Sequence, residues 1–144
     1  MNGPAQLELS DRFRPRTPRA FVERVVRAVR EHVARPDLEV SLLLTDDAEI
    51  ARLHGEYMDD PTPTDVMSFA IDDGAEVVVS VETARRQAQR AGHAMRAEIA
   101  LYIVHGILHT VGFDDVDEHD RRRMREAERA IMQRLKLRVA DVDA

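Results

Sequence analysis

The chain contains no cysteine in its 144 residues. Disulfides and thiolate metal sites are therefore excluded, and any bound metal must be held by histidine, aspartate or glutamate. Long apolar runs are also missing. The longest, Ile99 to Val104 (IALYIV), falls far short of the roughly 20 residues that a bilayer-spanning helix needs. The first residues, MNGPAQLELSDRFRPR, lack the apolar stretch of a secretory signal. With neither feature present, a cytoplasmic location without membrane association is the expectation. No internal repeat, low-complexity tract or linker interrupts the chain, so residues 1–144 read as one domain. Lysine is nearly absent: Lys136 is the one lysine among 21 basic residues, and the others are arginine.

Hydrophobic residues make up 44% of the chain and charged residues 33%, a balance that suits a folded globular domain with a sizeable core. The net charge of −6 argues against broad, indiscriminate nucleic-acid binding. The arginines are nonetheless grouped. One group runs from Arg12 to Arg30, a second comprises Arg85, Arg86, Arg90 and Arg96, and a third Arg121, Arg122, Arg123 and Arg125. Such groups read as solvated helix faces paired with nearby acids, or as surfaces that touch phosphate.

Periodicity predicts alternating elements. QLEL at 6–9 is a short strand, and Thr17 followed by Pro18 marks a helix start, with Thr17 as N-cap. Phe21, Val25, Val29 and Val33 keep a helical period behind it. LEVSLLLT is a second strand. Thr45 and Asp46 cap the helix DAEIARLHGEYM. The turn-rich DDPTPT leads to DVMSFAI, and DDG turns into AEVVVSV; these two strands are close enough to pair as a hairpin. ETARRQAQRAG is a helix stopped by Gly92. MRAEIALYIVHGILHTV is apolar on most sides and predicts a buried central helix, and DEHDRRRMREAERAIMQRLKL is an amphipathic last one. The expected fold class is α/β or α+β: a small mixed sheet covered by helices.

The chemistry concentrates in VHGILHTVGFDD, residues 104–115. Four residues of helix turn through about 400°, so His105 and His109 lie on nearly one face, one turn apart. Gly112 can adopt the left-handed backbone that ends a helix and reverses the chain, returning Asp115 beneath the two rings. Two imidazoles and a carboxylate with a fourth position open suit a catalytic zinc ion, or another divalent ion such as nickel or manganese. His119, four residues beyond Asp115, is a rival third ligand. Glu98, seven residues before His105, shares its helical face; it either orients a ligand ring or pairs with an arginine. His32, His54 and His93 read as lone surface residues. The spacing H-x-x-x-H-x-x-G-x-x-D matches that of metzincin proteases, with Asp for their third His. Gly106, however, occupies the position of the glutamate that serves those enzymes as general base, which argues against peptidase chemistry.

HGILHTVGFDD resembles the signature H-G-x-L-H-x-x-G-Y-D-H of the YbeY-type endoribonucleases, bacterial rRNA maturation factors. LHGEYMDDPTPTDVMSF at 53–69 is similar to a second family stretch ending in TDVLSF, and AEVVVSV followed by ETARRQA to the family's next strand and helix. The likeness covers roughly residues 38–137. It implies a small mixed sheet with helices packed on it. It also implies a metal-dependent endoribonuclease specific for single strands, acting in 3′-end maturation of small-subunit ribosomal RNA and in ribosome quality control. The implied partners are single-stranded rRNA and the small ribosomal subunit or its assembly factors. By the same resemblance Thr64, Asp65 and Ser68 line the cleft, although Asp65 and Ser68 also read simply as a turn and a strand start.

Two positions depart from the family pattern. The third histidine of the motif falls on Asp115, whose charge makes the site less electropositive than three neutral imidazoles would. The arginine that follows the family tyrosine falls on Met58, which cannot clamp a phosphate. The expected mechanism has zinc on His105, His109 and Asp115 acidify a water and polarise a phosphodiester oxygen, with attack by that water or by the adjacent 2′-hydroxyl. The alternative from another class is a ribosome-assembly RNA-binding protein in which the metal is structural. A further alternative is a metal-dependent hydrolase of small molecules, without salt-sensitive RNA affinity.

Overall fold

A computed structural model describes residues 6–58, 65–72, 74–114 and 116–139. The elements run β1 (Leu7–Asp11), α1 (Arg19–His32), β2 (Glu39–Thr45), α2 (Asp47–Met58), β3 (Val66–Ile71), β4 (Gly74–Ser80), α3 (Val81–Ala91), α4 (Met95–Thr110) and α5 (Glu118–Leu135). The strands form one mixed sheet in the order β1-β2-β4-β3. β1 and β4 flank β2 in parallel, and β3 returns antiparallel beside β4, from Val66 opposite Val79 to Ile71 opposite Gly74. The fold class is α+β, and the hairpin predicted from sequence is the β3–β4 pair.

Alternation along the strands sends side chains to two layers. Val40, Leu42, Leu44, Val77 and Val79 join the large core beneath α1, α4 and α5. Val78 and Met67 point the other way and pack with Ile50 of α2, with Leu43 and Phe69 at the margin. Helix α4 is buried through Ile99, Ile103, Val104, Ile107 and Leu108, so it runs through the middle of the helical layer.

The start of α1 differs from expectation by one residue. Pro18, not Thr17, stands at the N-cap, and no side chain caps that end. The cause is Asp11, whose carboxylate accepts the backbone N–H groups of Phe13 at 3.2 Å and Thr17 at 2.8 Å. Thr17 is thereby tied into the loop. The α2 start is as predicted: the Asp46 side chain accepts from Glu49 N–H at 2.8 Å. Its neighbour Asp47 accepts from Ser80, from the Thr83 hydroxyl at 2.7 Å and from Arg86 at 2.7 Å, joining α2 to α3. Partial burial pushes the Asp47 carboxyl upward, but those hydrogen bonds and the Arg86 charge outweigh it and hold the pKa below its ordinary value.

Candidate metal and RNA site

Helix α4 ends in a Schellman motif. The Phe113 N–H reaches the Leu108 carbonyl at 3.0 Å, the six-to-one bond of that ending, and Gly112 has φ of 110°. His105 and His109 occupy the last two turns with ring centroids 6.3 Å apart. The chain does come back toward the rings: an Asp114 carboxylate oxygen lies 3.9 Å from His109 Nε2. Asp115, expected as the third ligand, lies outside the described residues, as does Thr64. Among the described residues, no three histidine, aspartate or glutamate side chains gather as a metal-binding group.

Glu128 of α5 bonds His105 Nδ1 at 2.8 Å. The carboxylate is buried, its side chain 8% exposed. With Nδ1–H donated to Glu128, the lone pair of the neutral ring sits on Nε2, the tautomer that a metal-ligating imidazole needs. Glu98, which the sequence offers either for that orienting role or as a partner of an arginine, has a different neighbour in the structure. Glu98 is buried and contacts His93 Nε2. His93 is correspondingly not a surface residue, because its side chain is only 8% exposed. The Schellman bond from His93 N–H to the Ala88 carbonyl, 3.1 Å, turns it inward after Gly92.

Beside His105 opens a cavity of about 420 Å³. Its floor is Glu98, Leu101, Tyr102 and His105 of α4; Asp65 and Val66, Gln87 of α3, and Arg125 and Glu128 of α5 complete the wall. Asp65 therefore lies on the wall of this cavity. Ser68 is not among its lining residues; it pairs with Val77 inside the sheet. Burial, then the charges of Glu98 and Asp65 and a hydrogen bond with Glu98, push the Tyr102 phenol well above its ordinary pKa. The protonated phenol is a hydrogen-bond donor on the cavity floor.

Gly106 explains why this helix carries no H-E-x-x-H base. A Cβ there would stand 2.7 Å from Val77 Cγ1 and 3.2 Å from Val66 Cγ2. The position faces the sheet, and α4 lies against β3 and β4 only because the side chain is absent.

The residues fit a small divalent cation. Two imidazoles stand on successive turns, one is fixed at Nδ1 by a buried carboxylate, and an acidic loop returns beside the other.

An α+β domain with a histidine pair at the end of its central helix, beside a cleft walled by α5, is the class defined by this fold and site. Its fold is shared with the solution structure of a Thermotoga maritima protein, with a TM-score of 0.65 over 91% of this chain and 92% of that one at 19% identity. The family profile described as Endoribonuclease YbeY matches residues 8–136. Proteins named Endoribonuclease YbeY from Heliobacterium modesticaldum and Desulforamulus reducens are each 39% identical to it; the alignments cover 78% and 80% of this chain and 80% and 84% of theirs. One from Thermobifida fusca is 40% identical over 69% of this chain and 72% of its own. The chain belongs to the YbeY endoribonuclease family.

Proposed function

We propose that this chain is a zinc-dependent endoribonuclease specific for single strands, acting in 3′-end maturation of small-subunit rRNA and in ribosome quality control. In this reading it works in the cytoplasm as one domain over residues 1–144, with the small ribosomal subunit or its assembly factors as partners. No helix of the described residues is long and apolar enough to cross a membrane. Family membership supports the nuclease activity. The observation that carries the site assignment is the His105–Glu128 hydrogen bond beside the cleft.

His105, His109 and Asp115 are the residues that would hold the ion. Zinc, when bound there, supplies a Lewis acid for the phosphodiester and an acidified water. Glu128 holds the proton on His105 Nδ1 and fixes the ring. Tyr102 presents a neutral hydroxyl at the floor of the cleft. The cavity volume lies within the range of about 300–1,000 Å³ typical of ligand pockets, room for a nucleotide unit.

Incubation of the purified protein with one equivalent of zinc should cut single-stranded ribosomal RNA and spare the paired form. A 2′,3′-cyclic phosphate at the new end would assign the attack to the 2′-hydroxyl, and its absence to water. Protein that binds small subunits yet stays inert with every divalent metal tried would instead be the assembly factor favoured by Met58 and Asp115.

Glu128→Gln keeps the size of the side chain and removes its charge. Losing such an orienting carboxylate should weaken zinc binding by about 10- to 100-fold, read by competition with a chromophoric chelator. Unchanged affinity would mean that Glu128 does not set the ring.

A further inference from the structure

The cleft wall is acidic where an RNA phosphate would have to enter. Asp65, Glu98 and Glu128 all line it, and Arg125 is the one arginine or lysine among its described lining residues. Arg125 also lines a second groove, of about 430 Å³, along the outer face of α5 with Arg121, Arg122 and Arg129. The spacing is regular. Arg121, Arg125 and Arg129 follow one another at four residues, about 6 Å of helix rise, on one face. That step is on the scale of successive phosphates in an extended single strand. Glu118 and Glu126 share the groove; the Glu118 carboxylate stands 3.8 Å from Arg122, exposed to solvent on both sides, and a contact of that kind binds weakly.

We propose that the outer face of α5 is the track on which the RNA strand lies, with Arg125, the middle arginine of the row and the one shared with the cleft, gripping a backbone phosphate at the cleft's edge. The proposal rests on the endoribonuclease reading and adds to it the surface that binds the strand. A guanidinium grips phosphate oxygens through two parallel N–H bonds, a geometry no other side chain offers. Arg125 is exposed on a helix, where alanine is well tolerated, so its replacement tests contact and not folding.

Binding is measured by fluorescence anisotropy on zinc-loaded protein with a labelled 2′-O-methyl single-stranded RNA, across a salt series. Arg125→Ala should raise Kd about tenfold or more. It should also flatten the plot of log affinity against log salt by about 0.7, the loss of one single-strand phosphate contact. Arg125→Lys should recover part of the affinity. Arg134→Ala, whose guanidinium meets Glu31 at 3.2 Å on another part of the surface, should match wild type. An Arg125→Ala variant with wild-type Kd and salt slope overturns the track while leaving the endoribonuclease reading standing. Wild-type protein that binds no RNA at any salt overturns both.

Discussion

His109→Ala is expected to abolish RNA cleavage while leaving the fold intact. The side chain stands at the end of α4 and is 46% exposed, so its removal opens no cavity in the core. A surface change of this kind moves stability by about 0.5 kcal/mol or less. Its chemical effect is far larger. A metal ion in such a site contributes several kcal/mol of transition-state stabilisation, and each 1.36 kcal/mol is a factor of ten, so cleavage should fall by roughly three orders of magnitude. With metal stripped from both proteins, thermal melting of the variant should superimpose on wild type, and its zinc content after reloading should drop. His105→Ala is a less clean probe, because it also strips the ring that a buried Glu128 bonds. Cleavage by His109→Ala at the wild-type rate would show that the helix end is not the reaction centre.

Gly106→Glu should fail to fold. The Cβ alone would meet Val77 at 2.7 Å, and the rest of the side chain would drive a carboxylate between α4 and the sheet. Overpacking costs about 1–3 kcal/mol. An unpaired buried charge adds several more, against a total stability of only about 5–15 kcal/mol. Gly106→Ala separates the two terms. Alanine gains about 1 kcal/mol of helix propensity over glycine. The stiff valine methyls cannot swing aside as a long side chain would, so the net change should still be destabilising, by up to about 2 kcal/mol. Circular-dichroism melts measure both. An alanine variant that melts higher than wild type would show that the helix–sheet spacing yields easily. The prediction has a functional side. A metzincin-type base at this position is incompatible with the sheet behind it, so that arrangement of base and ligands is closed to this helix end.

Local order was legible in the sequence, and long-range order was not. The i, i+4 histidines and the glycine that ends their helix are features of a single turn of backbone, so spacing alone gave their placement. The α2 cap and the β3–β4 hairpin are local in the same sense. Glu128 escaped notice because it lies 23 residues after His105 and meets it only when α5 folds across α4. On its own helix it is one acid among many on an amphipathic face. His93 reads as a surface residue in the sequence because the turn after Gly92 gives no sign that it points back to Glu98. The misplaced α1 cap has the same origin: the Thr17 backbone is claimed by Asp11, six residues earlier and across a loop. Arg125 stood out only as a member of a cluster. Its position on the cleft wall depends on the angle at which α5 crosses, which no periodicity encodes.

The central claim is that side chains at the end of α4 and on its returning loop converge on one divalent ion. Anomalous diffraction from zinc-grown crystals, recorded on both sides of the zinc edge, locates that ion directly. The account predicts one peak per chain, bonded by His105, His109 and Asp115. A peak elsewhere, or no peak and an Asp115 carboxylate turned to solvent or to an arginine, would contradict it.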